Sequence, residues 1–243
     1  MDLQLETLLK DLLKSNMALQ SFATIVSYDL QEPLNKILDF NNRLKIKYAN
    51  KLDEQGRSYM EIIESTSLKM KGLLETLYKY STMTNQEIKF KEVKLGKIFD
   101  EVLAELKTKL EENYVQIQIV GNPPVVEADP VLISELFRSL ICNAIRFRYP
   151  NISLSIRIEI TTSRDLVKIE VEDDGVGFGS DDSEAIFKQF QKLNKVEEYN
   201  GIGIGLTFCK IICDKHNGTL SAKSAEGEGS TFTLLLPLKQ KAN

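Results

Sequence analysis

No run of about 18 consecutive apolar residues occurs in the sequence, and the opening stretch MDLQLETLLKDLLK alternates charge with leucine. Neither a membrane span nor a signal peptide is expected, and the chain reads as soluble. An excess of positive charge is lacking as well. The formal net charge is -4, with 27% charged residues of both signs, so there is no general basic field for nucleic acid or anionic lipid. Cysteine is scarce: Cys142, Cys209 and Cys213 are odd in number, form no CxxC pair, and place the last two one helical turn apart. Buried thiols in a reducing, cytoplasmic compartment are the reading. Histidine occurs once, at His216 in CDKHNGTL. Lys215 and His216 there fall in the last turn of a helix that Gly218 terminates, where cations are ordinary partners of the helix dipole.

What is present points to two units, because 243 residues with 42% hydrophobic content can bury one large core or two small ones. From residue 3 to about 48, apolar side chains recur at spacings of three and four, as in Leu5, Leu8, Leu9, Leu12 and then Phe22, Val26, Leu30, Pro33, Ile37. The polar break YANKLDEQG follows, and Tyr59, Ile62, Ile63, Met70, Leu73, Leu74 and Leu77 resume the helical period to about residue 84. A short break between two long helices predicts an antiparallel hairpin. Two helices cannot enclose their own apolar faces, so a second copy completing a four-helix bundle, hence a homodimer, is expected.

STMTNQE reads as a linker, after which the pattern becomes mixed. The expected units are 1–86 and 87–243. Helical periods cover roughly 96–112, 130–147 and 203–216, and VQIQIV, SLSIRIEIT, LVKIEVED, GTLSAKS and STFTLLLP are strand candidates. The fold class is α+β: a helical hairpin, then a sheet covered by helices.

Three glycine clusters sit in that second unit. EVEDDGVGFG ends a strand with Asp173 and Asp174 and continues with Gly175, Gly177 and Gly179, which let the backbone turn tightly beside a ligand. A carboxylate held at such a turn can accept a hydrogen bond from an exocyclic amine. GIGIGLTFCK places Gly201, Gly203 and Gly205 ahead of a helix whose free amide groups suit phosphate oxygens. EGEGSTF adds the hydroxyl of Ser230 before the last strand. A lone glycine triplet is often only a turn, whereas three of them beside a helix bearing CNAIRF form a specific pattern.

Residues 129–237 resemble, in order and spacing, the ATP-binding domain of histidine kinases and their wider ATPase superfamily. Residues 20–84 resemble the dimerisation and phosphotransfer helices of the same enzymes. The resemblance implies an α/β sandwich binding Mg-ATP, with Asn143 holding the Mg²⁺ on the nucleotide and Asp173 reading the adenine amino group. Gly175 and Gly177 would shape the adenine pocket, Gly201, Gly203 and Gly205 would border the phosphates, and Ser230 would assist at the base. IFKQFQKL matches the phenylalanine motif of the family, leaving Leu193 to Asn200 as a short lid.

The departures are as informative. Ser139 stands one turn before Asn143, where gyrase and the Hsp90 chaperones carry a glutamate base, so rapid hydrolysis by water is not expected. Arg146 replaces the usual lysine, keeping the charge but changing donor geometry. In SYDLQEPL, Tyr28 stands where the family pattern has its phosphoacceptor histidine, with Asp29 at the position of the acidic general base. At about 100° per residue, Tyr28 lies opposite the stripe of Phe22, Val26, Leu30, Pro33 and Ile37 and should face solvent. Pro33 cannot donate to the carbonyl of Asp29 and leaves a local distortion there. A phenol ionises near pH 10, so only about one part in a thousand is nucleophilic phenolate at neutral pH. Its phosphoester also lacks the reactive phosphoramidate bond that passes phosphate to an aspartate. Glu32, four residues on, is shared with phytochrome-type kinases carrying DLQEP and replaces the residue that positions water for dephosphorylating a response regulator. Ordinary histidine autophosphorylation is therefore not expected. The reading is a dimeric, cytoplasmic histidine-kinase homologue that uses ATP and Mg²⁺ as a switch controlling a response regulator or another kinase. The alternative is an active kinase that phosphorylates Tyr28 or a partner protein.

Overall fold

The computed structural model describes residues 2–179, 182–187 and 205–240. The chain divides into two compact units, Met1–Gln86 and Glu87–Asn243.

The first unit is a hairpin of α1 (Asp2–Tyr48) and α2 (Glu54–Asn85), joined through a single 3-10 turn at Ala49–Lys51. Asp53 starts α2 by accepting the Gly56 amide at 2.8 Å, which satisfies one of the orphan donors of the first turn. The seam between the helices is narrow and repeats every seven residues: Ser27, Leu34 and Asn41 on α1 are buried, as are Met60, Ser67, Leu74 and Ser81 on α2. Asn41 adds a cross-helix bond, its Nδ2 donating to the Met60 carbonyl at 3.0 Å.

The apolar stripe that dominates the sequence of α1 is not this seam. Leu30, Pro33 and Ile37 are exposed and Val26 is half-buried. The reason is angular, since Val26 is one residue, or about 100°, away from the buried Ser27. On α2, Tyr59, Ile63, Met70 and Leu73 are likewise exposed. The segment STMTN, expected as linker, is helical to Asn85. Its hydroxyls bond backward within the helix, Thr82 Oγ1 to the Tyr78 carbonyl and Thr84 Oγ1 to the Tyr80 carbonyl, both at 3.0 Å, so its polar side chains extend the helix rather than break it.

The second unit builds a five-stranded mixed sheet from β2 (Val115–Val120), β4 (Leu154–Thr162), β5 (Leu166–Asp173), β6 (Thr219–Ala225) and β7 (Gly229–Pro237), in the order β2-β4-β5-β7-β6. Only β2 and β4 pair in parallel. In β4 the residues Leu154, Ile156, Ile158 and Ile160 are buried while Ser155 and Arg157 between them are exposed, the alternation of a sheet with one covered face. Three helices, α3 (Leu95–Glu112), α4 (Pro130–Arg146) and α5 (Gly205–Lys215), supply the cover, and Phe99 of α3 packs on Phe137 of α4 at 4.6 Å between ring centroids. A two-stranded ladder of β1 (Lys91–Lys94) and β3 (Val125–Ala128), not apparent in the sequence, precedes α4. The chain is thus α+β, as its residue patterns require.

His216 differs from its sequence reading. It is fully buried, its Nε2 accepts the Asp129 amide at 3.0 Å, its Nδ1 faces the Ile212 carbonyl at 2.7 Å, and its ring meets Phe90 edge-on. An amide donor at Nε2 requires a lone pair there, so the ring is neutral with its proton on Nδ1. Burial pushes its pKa down, against the raising influence of the Ile212 carbonyl and the Asp129 charge, while Lys215 lowers it further. A cation at this helix end is therefore Lys215 alone. Because the folded ring resists protonation and the unfolded ring does not, His216 costs stability as pH falls through about 6.5. His216→Gln is expected to lessen the loss of unfolding free energy between about pH 7.5 and 5.5, as read from urea transitions at the two pH values.

Candidate functional site

The site grows from the end of β5. Asp173 is the last strand residue, and its side chain points to the covered face of the sheet, leaving it 5% exposed. Burial pushes its pKa up to about 6, helped by the charges of Asp174 and Glu172. The amides of Gly175 and Ser230 work the other way by donating to the charged form. The Gly175 amide lies 3.0 Å from Asp173 Oδ1. Asp174 turns outward and accepts the Ser155 amide at 2.8 Å, which holds the strand end to β4.

Beyond Asp173 the chain is drawn against α4. The Val176 amide donates to the Phe147 carbonyl at 2.8 Å, and a Cβ on Gly175 would lie 2.6 Å from that same oxygen, so only glycine allows the approach. Gly177 adopts φ 65°, and a side chain on it would overlap the Ala225 carbonyl. The opposite wall is the β6–β7 hairpin, where Ser230 stands directly across the ladder from Asp173.

On α4, Asp129 caps the first turn by accepting the Val131 and Leu132 amides, with Pro130 pre-set at the first helical position. Asn143 is half-buried one turn from the helix end, Arg146 is exposed in the last turn, and the Phe147 amide closes the helix on the Asn143 carbonyl at 3.1 Å. Phe147 therefore links the two halves of the site: its amide ties to Asn143 and its carbonyl to Val176. Ser139 donates to Glu135 Oε1 at 3.3 Å. Glu135 in turn pairs with Arg138, which also reaches Glu105 of α3 at 2.7 Å. Among the described residues no cluster of three or more histidine, cysteine, aspartate or glutamate side chains could hold a metal ion by itself.

Asp173, Gly175, Gly177 and Ser230 are thus brought together around one turn, with Asn143 and Arg146 on the helix that this turn abuts. Gly205 is the exposed first residue of α5. Gly201, Gly203 and the expected lid from Leu193 to Asn200 lie outside the described residues, as does most of IFKQFQKL, of which Ile186 and Phe187 are seen. Tyr28 and Asp29 belong to the helical unit, and both are exposed, Tyr28 at 71%. The Phe147 carbonyl and the Ser224 hydroxyl, which bind the turn from its two sides, have no sequence signature, because one acts through its backbone and the other is a serine in a strand outside the three glycine clusters.

The histidine kinase-, DNA gyrase B- and HSP90-like ATPase family matches residues 128–240, a span that contains Asn143, Asp173 and Ser230. Phytochrome-like protein Cph1 of Synechocystis sp. is 34% identical over 97% of this chain, which corresponds to 31% of that protein. Cyanobacterial phytochrome A of Nostoc sp. is likewise 34% identical over 97% of this chain and 30% of its own length. The chain therefore spans about a third of these curated relatives. The structure of full-length ShkA in complex with AMPPNP covers 92% of this chain and 47% of its own at a TM-score of 0.69 and 19% identity, a likeness of fold. From residues, geometry and relatives together, the chain belongs to the sensor histidine kinases and carries their ATPase-family domain over residues 128–240.

Proposed function

We propose that this chain is the nucleotide-responsive part of a two-component signalling protein, binding Mg-ATP in the second unit and acting through a homodimeric helical bundle in the first. The observation that carries the reading is Asp173, a carboxylate buried at a glycine turn with no cation beside it among the groups that shift it. Such a group suits an uncharged donor, and the exocyclic amine of adenine is one. Asn143 offers one carboxamide oxygen, and Mg²⁺ commonly combines few protein ligands with phosphate oxygens and water, so the donor set fits that ion. Arg146 and the start of α5 at Gly205 would face phosphate, and Gly201 and Gly203 would border it. The bound nucleotide would supply a transferable phosphoryl group. The chain's own groups hold the base, orient the phosphates and offset their charge.

Tyr28 replaces the phosphoacceptor histidine in this reading, so nucleotide occupancy, rather than phosphohistidine, would signal to a response regulator or a second kinase in the cytoplasm. The ThkA structure with its response regulator TrrA, 20% identical and with a TM-score of 0.61, is a related assembly of the same fold. One observation favours the alternative of an active kinase: Tyr28 is exposed beside an exposed Asp29, so an incoming phosphoryl group would meet no steric barrier on the hairpin. Ser139, bonded to a glutamate already paired with Arg138, is not a base for water.

Isothermal titration with Mg-ADP is expected to show binding that Asp173→Asn weakens by about tenfold or more. Protonation of Asp173 below about pH 6 removes its acceptor charge. Affinity should therefore fall by about fourfold between roughly pH 7.5 and 5.5 in the parent, and this part of the slope should vanish in Asp173→Asn. Absence of binding in the parent removes the reading.

Leu30, Ile37, Met70 and Leu73 form the exposed faces that a second hairpin would cover. Sedimentation should show a dimer for the parent and a monomer for the double variant Ile37→Glu, Met70→Glu. Tyr28→His, on an exposed polar face, should change stability by less than about 1 kcal/mol. Incubated with γ-labelled ATP, it should acquire acid-labile, base-stable label on residue 28. Acid-stable label on Tyr28 in the parent would instead establish the active-kinase alternative.

A further inference from the structure

The turn after Asp173 is held from two sides. Toward α4 the contact is backbone to backbone, Val176 to Phe147. Toward the β6–β7 hairpin it runs through one side chain and one backbone bond. The Ser224 hydroxyl accepts the Phe178 amide at 2.9 Å, donates to the Gly229 carbonyl, and lies 3.3 Å from the Ser230 hydroxyl. The Gly227 amide adds a bond to the Val176 carbonyl at 2.8 Å. Ser224 thus touches the segment carrying Gly175 and the segment carrying Ser230. These two supply the amides that hold the Asp173 carboxylate.

We propose that Ser224 is a positioning residue for base recognition, its hydroxyl locking the glycine turn to the β6–β7 hairpin so that Asp173 stays aimed at a base bearing an exocyclic amine donor. The inference rests on the nucleotide reading above. Its physical basis is that a hydroxyl is both donor and acceptor and can bridge an amide and a carbonyl on separate segments, which no apolar side chain can do. Without it, the Phe178 amide and the Gly229 carbonyl lose their common partner, and the turn is free to drift by fractions of an ångström. Discrimination suffers most, because a fixed acceptor rejects guanine, which presents an oxygen where adenine presents the amine.

The test compares Ser224→Ala, Ser224→Val and Ser224→Thr in the full chain. Threonine keeps the hydroxyl, valine keeps threonine's shape without it, and both suit a strand position. Isothermal titration with Mg-ADP and Mg-GDP is expected to show the adenine-over-guanine preference falling about tenfold in the alanine and valine variants and recovering in threonine. In the same variants, exchange of the Phe178 amide proton should accelerate and the Asp173 carboxyl titration should move, whether or not nucleotide is added. A base preference within twofold of the parent in both alanine and valine, despite faster exchange, overturns the proposal and leaves Ser224 as support for the hairpin alone. Unchanged exchange and titration also overturn it. Should alanine fail to fold, the valine and threonine pair decides. A parent that binds neither nucleotide sinks the nucleotide reading itself, a result distinct from either of these.

Discussion

The second unit is organised around the cost of burying one carboxylate. Asp173 is nearly sealed from water with no cationic partner among the described residues, and that burial pushes its pKa up to about 6. The carboxylate is tolerable only because backbone amides converge on it, and they converge only where the chain can turn without side chains. That is why Gly175 can sit against the Phe147 carbonyl and why Gly177 takes its positive φ. The end of α4, the end of β5 and the β6–β7 hairpin meet at this point because each contributes a backbone group to it. A buried carboxylate that is an acceptor at neutral pH is suited to a neutral donor and repels an anion.

The helical unit obeys a different constraint, the geometry of two cylinders in contact. A single seam can bury only a narrow strip of each helix, and here that strip is taken by small and polar residues interspersed with Leu34, Leu74 and Met60. The broad apolar stripe is turned a quarter of the way around each helix and remains on the surface. Tyr28 lies on the side away from that stripe, so its exposure follows from where the apolar residues are and not from any feature of the tyrosine.

Legibility in the sequence tracked the length and regularity of each element. The strict alternation of β4 made its strand readable from SLSIRIEIT, and the span of α4 followed from its helical period over 130–147. The four-residue strands β1 and β3 are too short to show a period, and they exist because they pair with each other. The threonines near residue 82 read as linker because hydroxyl residues cluster in loops, but their i−4 carbonyls were within reach. His216 was misread because its helix end is buried beneath Phe90 and Asp129, a long-range fact. At the candidate site, Asp173 stands out in the sequence by its side chain beside a glycine cluster, and Asn143 is named by the family resemblance. Residues acting through a carbonyl or a cross-strand hydroxyl, such as Phe147 and Ser224, were not legible.

The composition of the hairpin seam has a mechanical corollary. Large side chains interlocked across an interface resist sliding, because each must leave its hole before it finds the next. Ser27, Ser67 and Ser81 make no such knobs, and the Asn41 bond to a backbone carbonyl can be exchanged for an equivalent carbonyl one turn along. Among the described side chains of the hairpin, the buried large apolar ones are Leu34, Met60, Leu74 and Met83. A seam of this composition offers less resistance to sliding than one of interlocked large side chains.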